Sequence, residues 1–308
     1  MRPAPDRVQP AVAAARAERS TPASRSDGIL PAVVAALSFS GVDIMIKVVY
    51  ASGMNVPTLL SLRGVLAVVF MAVWLRISPP PRWHDRRQRR IAIGLGVLFA
   101  GTMFGLLQAI SLLPVSVAIL AYFAYPVLTG VAAAVTGVDR LGWAAFLTAL
   151  MTFGGLALML GAEFSHLSGI GIAWALAASV FRVASLLMTR AWLDETDARV
   201  TTWYSMVPSA LLFLAGALWA GEWHLPGTSA GWLAFLWVSI GSTLATLLIY
   251  ASTNRIGPFR TAFIMNLEPL TTASLGILLL GETLTSSQGV GAVVMLVSLC
   301  VFQLVRTR

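Results

Sequence analysis

The sequence predicts an all-α, polytopic membrane protein with ten transmembrane helices in two inverted five-helix repeats. Composition is the first reason, because 57% of the 308 residues are hydrophobic and only 11% are charged, whereas a soluble domain carries about 25% charged residues. The second reason is that ten apolar segments approach the length of about 20 residues that a membrane-spanning helix requires. A proline-containing pattern that occurs twice is the third reason, and it predicts the repeat.

The repeated pattern links a proline to an acidic residue. Pro126 precedes Asp139 by thirteen residues, as Pro269 precedes Glu282, and the residues between them are apolar and small. The copies are offset by about 140 residues, so each contains five of the ten spans. Because five is odd, the second copy enters the membrane the other way up. Such repeats are typical of secondary transporters, whose binding site lies near the midplane.

The chain divides into three predicted parts. Residues 1–28 form a disordered cytoplasmic tail, residues 29–165 the first repeat and residues 166–308 the second repeat. A targeting peptide is the alternative for the Arg-containing tail, but its three acidic residues argue against it. The predicted spans are 29–51, 55–77, 91–112, 114–136, 141–161, 169–190, 199–220, 230–253, 257–280 and 286–305.

Basic residues predict the orientation of these spans. With the N-terminus inside, the Lys and Arg residues of loops and tails collect on the cytoplasmic side. This bias predicts that both termini are cytoplasmic (N-in, C-in). Together with the abundance of Arg and Ala, it predicts a multi-pass protein of the bacterial inner membrane. The predicted outer loops, which contain no Lys or Arg, are 52–54, 113, 162–168, 221–229 and 281–285.

Several classes of protein are disfavoured. The net charge of +8 marks cytoplasmic loops rather than nucleic-acid binding. The single cysteine, Cys300, rules out an internal disulfide, and the three histidines fall in loops, so neither a metal nor a cofactor is expected. A membrane-embedded enzyme would need paired acids or a histidine at one depth, and Asp43 and Glu268 are the only acids within the spans. No phosphate-binding loop is present.

Every charge other than five is assigned to a loop, a tail or the end of a helix. The five lie deeper within the membrane, where a charge is costly and therefore a functional candidate: Asp43, Lys47, Arg63, Arg182 and Glu268. Asp43 and Lys47 are four residues apart and share a helix face, either as a local ion pair or as part of a site facing a central cavity. Arg63 lies at a depth similar to that of Asp43. It forms either a clamp with Asp43 or a bidentate site for a substrate carboxylate.

Arg182 and Glu268 both lie near the middle of their spans. We expect them to face each other or to bracket a substrate; the alternative is a permanent structural bridge between the repeats. Burial favours the neutral form of the Glu268 carboxyl, whereas a nearby arginine favours the charged form. Glu268 is therefore the candidate for coupling transport to protons.

Polar, aromatic and proline residues complete the candidate set. Pro126, Pro208 and Pro269 interrupt the middle of their spans and are predicted hinges. The fifth and tenth spans hold no internal charge, which suits a peripheral position or a homodimer contact. The predicted substrate-binding residues are Asp43, Lys47, Arg63, Gln108, Tyr122, Trp174, Arg182 and Glu268.

Short motifs in the first repeat resemble those of one transporter family. The residues F-S-G at 39–41, followed by Lys47, stand where that family's first helix usually reads W-G followed by a lysine. Pro57 opens the second span and Arg63 lies within it, which also matches the family pattern. The residues G-V-D-R at 137–140 depart from the pattern, because an aspartate stands where a glutamate is usual.

The most recognisable motifs are L-E-P-L at 267–270 and L-G-E-T-L-T at 280–285. With ten spans in this order, residues 29–305 resemble the EamA-like family of the drug/metabolite transporter superfamily. The resemblance implies ten helices in two inverted five-helix halves and the export or exchange of small metabolites or drugs. It does not name the substrate.

The functional prediction is a secondary transporter that exports or exchanges small organic metabolites across the inner membrane by alternating access. Three cations against two acids inside the spans favour amino-acid-like zwitterions or organic anions. The alternatives are a multidrug or cationic-compound exporter and a non-transporting membrane scaffold. The expected partners are a small-molecule substrate and the lipid bilayer, and no enzymatic activity is expected.

Overall fold

The computed structural model describes residues 26–138, 142–161, 168–280 and 285–305. Within these ranges every regular element is an α-helix. The helices are α1 (Ser26–Ala51), α2 (Val56–Ile77), α3 (Arg86–Leu112), α4 (Val115–Tyr122), α5 (Tyr125–Val135), α6 (Trp143–Leu160), α7 (Gly169–Trp192), α8 (Ala198–Ala220), α9 (Ser229–Ile256), α10 (Pro258–Ile264), α11 (Leu267–Leu280) and α12 (Ser286–Val305).

Nine segments of the described chain are long and apolar enough to cross a membrane. Two of them each join two helices, α4 with α5 and α10 with α11. The tenth predicted span coincides with α12, whose apolar part, Ser286–Phe302, is shorter than the others. The acids Asp139 and Glu282 lie outside the described residues, as does the predicted tail, except that its last three residues belong to α1.

Local side-chain contacts explain where several helices begin and end. Asp85 caps α3 reciprocally with Gln88, so this helix begins five residues before the predicted span. Asp197 caps α8 by accepting the backbone N–H of Arg199 at 2.9 Å. Gly257 alone connects α9 to α10, and its positive φ of 87° is a conformation that favours glycine.

The helices pair in a pattern that is unchanged when the two repeats are exchanged. Helix α1 packs antiparallel to α9, and its equivalent in the second repeat, α7, packs in the same way against α3. Two further pairs are self-equivalent, α2 with α8 and α6 with α12, and the two interrupted spans contact each other where α5 packs against α10. This is the arrangement that a two-fold axis between inverted repeats produces.

Small residues allow these pairs to approach closely. At Gly64 on α2, an added Cβ atom would lie 2.9 Å from the Cα atom of Ala210 on α8. At Gly105 on α3, it would lie 3.0 Å from the carbonyl oxygen of Trp174 on α7. Close backbone contact of this kind is a main source of helix association in membranes, where lipid competes with apolar side chains.

Helices α6 and α12, the predicted fifth and tenth spans, pack on each other within one chain. A Cβ atom at Gly155 would lie 2.9 Å from both the Gly291 carbonyl oxygen and the Met295 side chain. Their opposite faces are exposed, with Leu150 on α6 and Val293 on α12 as examples. The predicted homodimer contact would therefore have to use these outer faces.

We expect Gly155→Val to destabilise the protein by about 1–3 kcal/mol, because the added side chain overpacks the contact between α6 and α12. Gly154→Val is the matched control, since an added Cβ atom there meets no atom within 4 Å. Both changes replace a helical glycine by the same residue, so the helix-propensity effect is shared. The measurement is thermal unfolding of the purified protein in detergent, and equal melting temperatures for the two variants would contradict the close contact.

The segment between α2 and α3 is fastened to the start of α8. His84 Nε2 lies 2.9 Å from the Thr201 hydroxyl, and the exposed fraction of His84 is only 9%. Arg199 donates to the Ser78 carbonyl oxygen at 3.0 Å and forms an ion pair with Asp197 at 2.7 Å. This loop of the first repeat is thereby fixed to a helix of the second.

Protonation of His84 is expected to weaken this attachment. Burial lowers the pKa of His84 below its ordinary 6.5, and the charges of Asp197 and Asp85 only partly oppose this effect. Burial raises the pKa of Asp197, but the hydrogen bonds from Arg199 and the charges of Arg199 and His84 together lower it below its ordinary value, so this carboxylate stays charged at neutral pH. The unfolded chain therefore binds a proton at His84 more readily than the folded chain does.

The stability contributed by neutral His84 is present above about pH 6.5 and is lost as the pH falls below that value. We expect the melting temperature to decrease on acidification to about pH 5.5, and His84→Gln to remove part of this decrease. His224→Gln, at an exposed histidine in another loop, is the control. An identical acid response in wild type and His84→Gln would show that His84 does not carry the effect.

Candidate functional site

Two spans are interrupted at equivalent positions. The first break, at Phe123–Ala124, separates α4 from α5, and the second, at Met265–Asn266, separates α10 from α11. Sequence analysis predicted kinks here, and in the structure the regular helix is interrupted for two residues while the backbone of Ala124 and Met265 stays in the right-handed helical region. Pro126 and Pro269 lie in the first turns of α5 and α11, where the missing N–H of proline has no intrahelical partner to lose.

Serine side chains from equivalent spans bind carbonyl groups at the two breaks. The Ser179 hydroxyl on α7 donates to the Tyr122 carbonyl oxygen at 3.0 Å. The Ser40 hydroxyl on α1 lies 3.0 Å from the Glu268 carbonyl oxygen and close to the Thr271 hydroxyl. Each repeat therefore stabilises the broken span of the other, and the breaks are anchored rather than loose.

The central cluster lies between these breaks and contains Arg182, Tyr122, Tyr125, Glu268 and Asp43. The Arg182 guanidinium lies over the Tyr125 ring, 5.7 Å from its centroid, and interacts with the hydroxyl of the same tyrosine. The Nε atom of Arg182 is buried and has no hydrogen-bond partner among the described residues. A buried donor without a partner is costly, so this atom is available to a ligand.

Two carboxyl groups complete the central cluster. The Thr272 hydroxyl, one helical turn after Glu268, donates to Asp43 Oδ2 at 2.9 Å and so joins α11 to α1. The Glu268 carboxyl interacts electrostatically with both Asp43 and Arg182. The cluster thus combines one guanidinium, two carboxyl groups and tyrosine hydroxyls at the junction of the repeats.

The structure does not pair Arg182 directly with Glu268. Among the described residues, no ion pair within 4.0 Å joins the Arg182 guanidinium to the Glu268 carboxyl, although the two groups interact electrostatically. The guanidinium instead lies over the ring of Tyr125 on α5. This geometry differs from that of a permanent salt bridge between the repeats.

Arg63 lies in a second polar region and not beside Asp43. Its guanidinium is 6.0 Å from the centroid of the Phe99 ring on α3. It lines a narrow cavity with room for about one water molecule, and none of the side chains lining this cavity is acidic. The hydroxyl groups that line the same cavity belong to Ser209, Ser242, Thr243 and Thr246.

The other predicted site residues lie outside the central cluster. Lys47 is exposed one turn beyond Asp43, and its charge acts on the Asp43 carboxyl. Trp174 packs edge-to-face on Phe104, with ring centroids 5.6 Å apart. Gln108 is half-buried in the last two turns of α3, and no contact among the described residues connects its side chain to the central cluster.

Tyr250, which sequence analysis missed, adjoins the central cluster and interacts with Arg182. It is buried on α9, and the hydroxyl groups of Ser205 and Ser185 interact with its own. A helical stripe of hydroxyl residues on the eighth span, Ser239, Thr243, Thr246 and Tyr250, was the available signal. The stripe runs from the Arg63 cavity to the central cluster.

Most hydroxyl groups of this stripe already donate within α9. Ser239 donates to the Phe235 carbonyl oxygen at 2.8 Å, and Thr243 donates to that of Ser239 at 2.7 Å. Thr246 donates to the Ser242 carbonyl oxygen at 2.8 Å. Their oxygen atoms therefore offer acceptors to whatever passes along the helix.

An all-helical chain with inverted repeats, two broken spans and buried charges at the breaks belongs to the class of multi-pass membrane transporters. The EamA-like transporter family model matches this chain twice, at residues 26–161 and 169–303. The chain therefore belongs to the EamA-like transporter family, as its motifs predicted. Members of this family are transporters for small molecules and reside in a lipid environment.

Solved structures support the fold. A crystal structure described only as that of a protein superposes with a TM-score of 0.77 over 92% of this chain and 100% of its own, at 19% sequence identity. At this identity the likeness concerns the fold alone. No match was found among curated proteins.

Proposed function

We propose that the protein is a secondary transporter that exports or exchanges small zwitterionic or anionic metabolites across the bacterial inner membrane. The central cluster carries this proposal, because a partly unpartnered guanidinium and two carboxyl groups meet where both broken spans cross. A small molecule with a carboxylate and an ammonium group complements all three charges.

The roles of the charged residues follow from their surroundings. Arg182 binds the substrate carboxylate, since guanidinium matches that group through two parallel hydrogen bonds. Asp43, held by Thr272 on α11, binds the ammonium group. Glu268, which interacts with both residues, carries the proton that is exchanged when substrate engages Arg182.

In this proposal, alternating access depends on the two anchored breaks. The chain has ten spans with both termini in the cytoplasm, and its two halves rock around the central cluster. Pro126 and Pro269 provide the hinges, and Pro208, inside the continuous helix α8, provides a third. The hydroxyl oxygens on α9 form a row of hydrogen-bond acceptors from the Arg63 cavity to the central cluster. Arg63 attracts the substrate carboxylate as the substrate moves along this row.

A cationic-compound exporter is the second candidate. The specific observation in its favour is that the Glu268 carboxyl interacts with Tyr122 and Tyr125, whose ring centroids are only 5.3 Å apart. Carboxylates and aromatic faces are the groups that bind organic cations. In that case Arg182 would repel the substrate rather than hold it.

Transport by the purified protein in liposomes tests the two candidates. The panel contains labelled amino acids, organic anions and organic cations, each measured with and without the same solute preloaded inside, and with and without a pH gradient. Uptake of an amino acid or organic anion that is stimulated by the same solute inside the liposomes supports the proposed function. Accumulation that needs the pH gradient shows in addition that transport is coupled to protons. Transport of organic cations alone would contradict the proposed function and support the second candidate.

A further inference from the structure

A basic groove lies at the start of α3, far from the central cluster. This open groove of about 420 Å³ is formed between the first turns of α3 and the end of α7. The residues that line it are Arg86, Arg87, Arg90, Ile91 and Trp192. The volume is within the range of sites for small ligands, about 300–1,000 Å³.

The three arginines of the groove are available to a ligand. Their side chains are exposed, and within the described part of the chain none of them forms a side-chain hydrogen bond or an ion pair. The nearest acid along the chain is Asp85, whose carboxylate accepts the backbone N–H of Gln88 at 2.7 Å. This carboxylate stays charged, but no acidic residue is among the described residues that line the groove, so the lining carries an excess of positive charge.

One wall of the groove is apolar and continues into the lipid-facing surface. Ile91 and Trp192 form this wall. Ile93 and Val97, exposed on the next turns of α3, extend the apolar surface toward the membrane interior. A tryptophan beside a basic helix end is typical of the interface between headgroups and hydrocarbon.

From this geometry we infer that the groove binds the headgroup of an anionic glycerophospholipid. The three guanidinium groups hold the phosphate, for which their planar donor fork is suited. The acyl chains lie along Ile91, Trp192 and the exposed residues below them. Free phosphate would use the arginines but leave the apolar wall unused, whereas a lipid uses both and is always present in a bilayer.

The test measures lipid binding to the purified full-length protein in detergent by native mass spectrometry. The probes are phosphatidylglycerol and phosphatidylcholine with identical acyl chains, and inorganic phosphate is the competitor. The groove variant carries Arg86→Gln, Arg87→Gln and Arg90→Gln. The control variant loses the same charge at three exposed residues outside the groove, by Arg76→Gln, Arg82→Gln and Arg89→Gln.

We expect the wild type and the control to prefer phosphatidylglycerol, and the groove variant to bind it on the order of 10- to 100-fold more weakly. An equal loss in both triple variants would mean that only net charge matters. Equal binding of the two lipids by the wild type would overturn the proposal. Displacement of phosphatidylglycerol by an equal concentration of inorganic phosphate would identify a free-phosphate site instead.

Discussion

Replacing Arg182 with glutamine is expected to lower the transport of carboxylate-bearing substrates by on the order of 100-fold. The guanidinium is held over Tyr125 with a buried Nε atom that has no partner among the described residues. Glutamine keeps a polar side chain but removes the charge and the bidentate geometry. The measurement is counterflow of a labelled amino acid or organic anion in liposomes.

A substrate analogue separates binding by Arg182 from a purely structural role. The carboxamide of the same amino acid lacks the carboxylate, so its transport should change little in Arg182→Gln. Arg76→Gln, at an exposed arginine at the end of α2, controls for loss of a positive charge. If both substrates lost transport in parallel while the melting temperature fell, Arg182 would be a structural residue and the proposed carboxylate site would be wrong.

Glu268→Gln is expected to abolish accumulation driven by a pH gradient while leaving exchange in place. Glutamine has nearly the same shape as a protonated glutamate, but it cannot release a proton. Glu268 interacts with both Asp43 and Arg182, so its proton would respond to the occupancy of Arg182 by substrate. The measurement is the ratio of internal to external substrate with and without the gradient, followed by counterflow at equal pH.

Two comparisons make this expectation specific. Glu195→Gln removes an exposed carboxyl from the loop between α7 and α8 and should leave accumulation unchanged. Asp43→Asn should weaken substrate binding and so reduce accumulation and exchange together. If Glu268→Gln still accumulated substrate in response to the gradient, Glu268 would be excluded as the proton carrier. If the gradient had no effect on the wild type, Glu268 would also be excluded, but the prediction for Arg182 would still stand.

Local sequence was sufficient to predict the nine spans that the described residues contain and to select the charged candidates. Hydrophobic segments of membrane-crossing length indicate helices by themselves, because in lipid each backbone group must be satisfied within its own segment. Arg182 and Glu268 were found because an ionisable residue in the middle of such a segment is costly unless it serves a purpose. The equivalence of Pro126 and Pro269 also follows from spacing alone, and both lie at helix breaks in the structure.

The sequence did not predict which residues of different helices contact each other. The period of a helix gives the depth of a residue and the neighbours on its own face, but not which face of another helix it meets. Arg63 has a depth similar to that of Asp43 and was predicted as its possible partner, yet it faces Phe99 and the hydroxyl groups of α8 and α9. Tyr250 was missed because only the packing of α9 brings it to Arg182.

The sequence by itself thus determined the class of protein, its repeated architecture and the buried charges, since each depends on the composition and spacing of one segment. The tertiary structure alone decided that Ser40 and Ser179 bind carbonyl oxygens beside the two breaks, that Tyr125 contacts Arg182, and that Thr272 joins α11 to Asp43. These features depend on hydrogen bonds and ring contacts between residues more than 50 positions apart, such as that of Ser179 with the Tyr122 carbonyl oxygen, which has a separation of 57. Such contacts are set by the rotation and close approach of whole helices, and no local pattern specifies them.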